Sequence, residues 1–172
     1  MKPVRFKKEL KRDNRVYYFN FGISMDSKIH EILKKYWGYS SFRPLQEEII
    51  QAALNKQDAL ALLPTGGGKS ICFQIPAIVN EGMCLVVSPL IALMKDQVLN
   101  LQSRNIAAIA ITSGMRQREI DIALDNCVFG RYKFLYVSPE RLASEMFLAR
   151  VVKMNINLLA IDESHCISQW GY

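Results

Sequence analysis

From residue 58 onward, short apolar runs alternate with longer stretches in which apolar positions recur every three or four residues. "DALALL" (58–63) precedes a helical pattern starting at Lys69, and "MCLVVS" (83–88) precedes one near 90–104. "AAIAIT" (107–112) leads into a pattern near 116–127, "KFLYVS" (133–138) into one near 140–153, and "NLLAID" (157–162) closes the series. Apolar runs of this length suit strands buried on both sides, and strands that alternate with helices build parallel crossover units. The expected architecture is an open, mostly parallel α/β sheet with helices on both faces and no second domain. Pro76 falls inside the first of these helices and is expected to kink or end it, because proline lacks an N–H and crowds the preceding turn. Upstream, "MDSKIHEILKKYWGY" (25–39) reads as a capped amphipathic helix with Ile29, Ile32, Leu33 and Tyr36 on one face. The compact domain is expected to begin there and to run over 25–172.

Composition supports a folded chain: of 172 residues, half are apolar and 22% are charged. No apolar run approaches the roughly 18 residues of a membrane span, and the basic N-terminus lacks the apolar core of a signal peptide. A soluble, cytoplasmic chain is expected, with no membrane partner. Cys72, Cys84, Cys127 and Cys166 form no CxxC pair and lie in or beside apolar stretches, which suits reduced, buried thiols and no cysteine-bound metal. The net charge of +6 is unevenly placed: residues 1–24 hold seven basic side chains against Glu9 and Asp13. Such a run either contacts phosphates or is a solvated extension, and residues 1–24 are read as a poorly ordered basic extension.

The chemistry starts at "ALLPTGGGKSICFQ", where an apolar run meets three glycines, a lysine and a serine that open a helix. Thr65, Gly66, Gly67 and Gly68 form a loop whose backbone N–H groups can converge on phosphate oxygens with no Cβ in the way, and the helix N-terminus adds its positive dipole end. Lys69 is placed to reach the β and γ phosphates, and the Ser70 hydroxyl to ligate Mg²⁺. Leu63 stands where the general phosphate-loop pattern has its first glycine. A second element is supplied by Asp162, which "NLLAID" delivers to the carboxyl edge of the sheet. Its carboxylate can hold Mg²⁺ through water, while Glu163 polarises the attacking water.

Asp162-Glu163-Ser164-His165 resembles motif II of superfamily 2 helicases in the form typical of RecQ DNA helicases, and "LLPTGGGKS" resembles that family's motif I, Leu63 included. "YSSFRPLQ" (39–46) resembles its motif 0, which implies that Tyr39 and Arg43 pack on the faces of adenine and that Gln46 hydrogen-bonds its edge. "SPLIALMKDQ" (88–97) and "YVSPERL" (136–142) resemble motifs Ia and Ib, which implies nucleic-acid contacts by Ser88, Lys95 and Arg141. Without the resemblance, Lys95 and Arg141 would be solvated helix charges. "SQWGY" (168–172) is similar to the start of the family's aromatic-rich loop, with Trp170 placed to stack on a base and His165 and Gln169 in coupling roles; Tyr172 stands where the family usually has histidine.

The resemblance covers residues 29–172 and implies the first RecA-like lobe of a P-loop NTPase, incomplete at its C-terminal end, with ATP and Mg²⁺ as cofactors and single-stranded and duplex DNA as partners. It implies an ATP-dependent 3′-to-5′ DNA helicase of recombination and repair. The second lobe, with the arginines that stabilise the transferred phosphoryl group, is missing from the 172 residues, as is motif III. This fragment alone is therefore expected not to unwind DNA, and its truncated sheet edge invites self-association. Two alternatives stay open on the residues: a non-enzymatic nucleotide- or DNA-binding fragment, and the lobe of another superfamily 2 enzyme acting on RNA.

Overall fold

The computed structural model describes residues 25–64 and 66–164. Residues 1–24, Thr65 and 165–172 lie outside the described residues, and with them the expectations on the basic extension and on Thr65, His165, Gln169, Trp170 and Tyr172.

Two helices precede the sheet. Helix α1 (Met25–Trp37) buries Ile29 and Leu33, four residues apart on one face. Helix α2 (Gln46–Leu54) starts from Leu45, whose φ of 69° is left-handed, and buries Gln46 and Ile50. Both pack with Ile71 and Ile75 of α3 (Lys69–Val79) in one apolar cluster. The remaining elements run β1 (Met83–Val87), α4 (Ile91–Gln102), β2 (Ala108–Ile111), α5 (Gln117–Val128), β3 (Phe134–Val137), α6 (Pro139–Leu142), α7 (Glu145–Val151) and β4 (Ile156–Ile161).

The four strands form one parallel sheet in the order β2-β3-β1-β4. Alternate residues of β1 and β3 point to opposite faces and meet different helices. Met83, Leu85, Val87, Leu135 and Val137 pack with Ile120, Leu124 and Phe147 of α5 and α7. Cys84, Val86, Phe134 and Tyr136 pack on the other face with Ala77 of α3 and Met94, Val98 and Leu101 of α4. Helices on both faces of an open parallel sheet are what the alternation of runs implied. Buried on both sides, β1 is apolar at every position, which is why it reads as a continuous run. The thiols of Cys72, Cys84 and Cys127 are buried in these layers, and burial pushes their pKa values up, to about 11 for Cys72 and about 12 for Cys127.

Three expectations need correction. Residues 57–64 form no strand: they carry no regular structure, and Leu60 and Leu62 are 74% and 80% exposed. A strand exists only where a neighbouring backbone supplies its ladder, and among the described residues β4 is the edge of the sheet with β1 as its one partner. Pro76 does not end α3, which continues to Val79, because Pro76 lies in the last turn and its carbonyl accepts the N–H of Asn80 at 3.2 Å. The helix expected near 140–153 is two: Ser144 is extended (φ −74°, ψ 134°), its hydroxyl donates to the carbonyl of Arg141 at 2.9 Å, and it opens α7.

The turn into β1 depends on one glycine. Gly82 has φ +92°, and a Cβ there would meet the backbone carbonyl oxygen of Asn155, the same oxygen that accepts the Met83 N–H at 2.9 Å. Lys133 closes the turn from the other side, its ammonium donating to the carbonyls of Asn80 (2.6 Å) and Gly82 (2.7 Å). Gly82→Ala is expected to lower the free energy of unfolding by about 1–3 kcal/mol, measured as a lower urea midpoint at unchanged slope.

Candidate nucleotide site

Four consecutive residues, Gly66 to Lys69, connect the irregular segment to α3, and the geometry of this loop is set from outside it. Gly66 and Gly68 have φ of +75° and +78°, a region open to glycine at little cost. Gln46, 2% exposed at the start of α2, donates its side-chain amide to the carbonyls of Gly67 (3.2 Å) and Gly68 (3.1 Å), and accepts the Arg43 N–H at 2.9 Å. The Arg43 guanidinium donates to the carbonyl of Gly66. In a trans peptide the N–H points opposite to the preceding C=O. Carbonyls turned toward α2 therefore turn the N–H groups of Gly68 and Lys69 to the opposite side, where the first N–H groups of α3 also lack intrahelical partners. Glycine is needed here sterically as well: a Cβ on Gly67 would lie 2.8 Å from the carbonyl oxygen of Pro64, and one on Gly68 would strike the Gln46 amide.

A pocket of about 480 Å³ opens beside the loop, lined by Tyr39, Arg43, Gln46, Gly66, Gly68 and Ile71. Tyr39 is 52% exposed and Arg43 is exposed, so an aromatic face and a guanidinium are available to a flat ligand. Gln46, which the resemblance implies at the adenine edge, lines the same pocket. Both of its amide hydrogens are spent on the loop, so it acts here as a strut between α2 and the glycines.

Across the loop stands the carboxyl edge of the sheet. The Asp162 N–H bonds the carbonyl of Val87 at 2.9 Å, and the Ser88 N–H bonds that of Val137 at 3.0 Å, which aligns the ends of β4, β1 and β3. Glu163 follows with a left-handed φ of 53°, its N–H donating to the Asp162 carboxylate at 3.1 Å. Burial pushes the Asp162 pKa above its ordinary value and the neighbouring Glu163 charge adds to the rise, while the Glu163 N–H and the nearby Lys69 ammonium oppose it. Lys69 and Asp162, far apart in sequence, thus act on one another across the loop. On the other flank the Ser70 hydroxyl accepts a hydrogen bond from the Gln97 side chain of α4 at 2.9 Å.

These residues fit a magnesium nucleotide. At Gly67 and Gly68 the cradle has room only for backbone, the donors face one way, and the Ser70 hydroxyl and Asp162 carboxylate are oxygen donors of the hard class Mg²⁺ prefers. The expected nucleic-acid contacts are dispersed. Lys95 is exposed on α4 and Arg141 half-buried on α6, whereas Ser88 is 1% exposed with its hydroxyl unpartnered among the described residues, so that hydroxyl does not emerge at the surface as expected. Sequence reasoning missed Gln74 and Gln97, because nothing in a linear pattern says which of a helix's polar residues turns inward.

Comparison with known proteins agrees with this geometry. A model of the DEAD/DEAH box helicase family matches residues 43–172. The chain is similar to the ATP-dependent DNA helicase RecQ of Haemophilus influenzae, with 48% identity over 141 residues covering 82% of this chain and 23% of that protein. It is 44% identical over 147 residues to the probable ATP-dependent DNA helicase RecS of Bacillus subtilis, covering 85% of this chain and 29% of the relative. The chain thus spans about a quarter of the length of these relatives. Among solved structures, the DUF1998 helicase MrfA superposes with a TM-score of 0.67 at 20% identity, covering 84% of this chain and 24% of that one. A hypothetical ATP-dependent RNA helicase from Sulfolobus tokodaii superposes with a TM-score of 0.64 at 19% identity, covering 86% and 44%. Both likenesses concern the fold.

Because the folded chain holds the Asp162 proton to higher pH than an unfolded one, this group's favourable contribution is present below the ordinary carboxylate range and is lost as pH rises through the raised value. Asp162→Asn should therefore raise the thermal midpoint of the ligand-free chain at pH 7, and the gain should vanish on acidification below about pH 4. A gain that is the same at both pH values would contradict burial as the cause.

Proposed function

We propose, from the premise that the chain belongs to the DEAD/DEAH box helicase family, that it is the ATP-binding lobe of a RecQ-type 3′-to-5′ DNA helicase acting in recombination and repair. The carrying observation is the glycine loop held open by Gln46 and Arg43, with the Lys69 charge at the start of α3 acting on Asp162 at the carboxyl edge of the sheet. The identity of 48% to a RecQ helicase supports the choice of DNA as the nucleic acid.

In this reading Tyr39 and Arg43 take the adenine, and the N–H groups around Gly68 and Lys69 take the phosphates. Lys69 neutralises charge at the β and γ phosphates and, before nucleotide arrives, lowers the cost of an ionised Asp162. Ser70 and Asp162 would hold Mg²⁺, which when bound supplies charge neutralisation to the phosphates. Glu163 follows Asp162 in the chain and serves as the base that orients water toward the terminal phosphate. Lys95 and Arg141 are the candidates for backbone contacts to a single strand, a mode that carries little base preference. The enzyme works inside the cell on DNA, and His165, Gln169 and Trp170 would couple strand binding to hydrolysis. Among the described residues the edge of β4 is open, with Leu159 and Ile161 at 57% and 44% exposure, which supports self-association of the isolated chain.

Translocation needs two lobes that close around ATP in turn, so the 172-residue chain alone is expected to hydrolyse ATP slowly and to displace no strand. Steady-state hydrolysis with and without single-stranded DNA tests the reading. DNA should raise turnover, and Lys69→Ala and Glu163→Gln should each reduce it by about 10²-fold or to background. Turnover unchanged in both variants would sink the assignment, and ATP-dependent strand displacement by this chain would sink the expectation that one lobe does not unwind.

A further inference from the structure

A chain of polar contacts runs from the middle of the sheet to the phosphate loop. Tyr136, fully buried on β3, accepts a hydrogen bond from the Gln74 amide at 3.4 Å. Gln74, 3% exposed on α3, also donates to the side-chain oxygen of Gln97 at 3.0 Å, and Gln97 on α4 donates its own N–H to the Ser70 hydroxyl at 2.9 Å. Both amide hydrogens of Gln74 are donated, and Gln97 turns its oxygen toward Gln74 and its nitrogen toward Ser70.

Two features set this chain apart from ordinary helix packing. Helices α3 and α4 already meet through apolar residues, Ala77 on one side and Met94, Val98 and Leu101 on the other. Burying amides and a phenol in the same layer costs desolvation that apolar side chains would avoid, and the mutual hydrogen bonds of Tyr136, Gln74, Gln97 and Ser70 offset it. The chain also ends on a hydroxyl that opens the phosphate-loop helix. With the Gln97 N–H on one lone pair of Ser70, the hydroxyl proton cannot point at Gln97, and the second lone pair is left for another partner. A pocket of about 160 Å³, bounded by Ser70, Gln74, Gln97, Asn100, Arg104 and Trp37, keeps this junction open to water.

We propose that Gln97 is a positioning residue for the Ser70 hydroxyl, held by Gln74 and Tyr136, and that its contribution is to aim that hydroxyl at the Mg²⁺ of a bound magnesium nucleotide. The inference rests on the nucleotide reading of the loop. Gln97 touches neither nucleotide nor metal; it acts through Ser70, in the way an outer residue orients a metal ligand.

The test measures the affinity of a fluorescent ADP analogue for the 172-residue chain with Mg²⁺ and with EDTA, and takes the ratio. Gln97→Met keeps the volume and removes the donor, and it should lower the ratio roughly tenfold, the usual scale for losing a residue that orients a ligand. Gln74→Met should lower it in the same direction by less. In a Ser70→Ala background Gln97→Met should change the ratio no further, because the group it positions is gone. A wild-type ratio retained in Gln97→Met, or equal effects of Gln97→Met with and without Ser70, would overturn the proposal and leave the nucleotide reading standing. A wild-type chain that binds the analogue with no gain from Mg²⁺, or not at all, would overturn both.

Discussion

The planar peptide makes the phosphate loop possible. Backbone N–H and C=O groups of one unit point opposite ways, so a loop offers donors to a ligand only if its acceptors find partners behind it. Gln46 and Arg43 supply those partners from outside the glycine run, at the start of α2 and in the turn before it. That arrangement needs Leu45 in a left-handed conformation to swing Gln46 inward, and it needs no side chain at Gly68. The adenine-side and phosphate-side segments are therefore one mechanical unit: a change in Gln46 reaches Lys69 and Ser70 through the carbonyls it holds.

The acidic side of the site obeys a different constraint. Asp162 sits where β4 leaves the sheet, half-buried, and that burial makes its charge costly. Glu163 next to it adds repulsion. The Glu163 N–H and the Lys69 charge across the loop offset part of this.

Much of the fold was legible, because apolar runs buried on both faces leave an unambiguous mark: β1 to β4 fall where the runs lie, and α4 and α5 where the three-to-four-residue period lies. Legibility failed where the deciding partner is remote. Residues 58–63 look like the other runs, yet a strand needs a neighbour's backbone, which composition does not reveal. The break between α6 and α7 rests on a Ser144 hydroxyl that the period alone does not weigh. In the site, the residue types around the glycines and Asp162-Glu163 announced themselves by spacing. The bonding of Gln46 to the loop, the burial of Ser88 and the Gln74–Gln97 relay did not, since they depend on which way a polar side chain turns once the layers are packed.

The strand order also sets a timetable for a growing chain. Strand β1 is apolar throughout and lies between β3 and β4, so that Cys84 pairs with Phe134 on one side and Leu158 on the other. During synthesis it emerges before either neighbour, and before β2, α4 and α5. Long-range parallel pairings of this kind form slowly, and unpaired apolar strands are the segments that stray into wrong partnerships. Helices α1, α2 and α3 are made first and share a cluster of their own around Ile29, Leu33, Ile50 and Ile75. The residues of that cluster have all been made before β1, on the same α2 and α3 termini that hold the glycine loop, whereas β1 must wait for the strands that flank it.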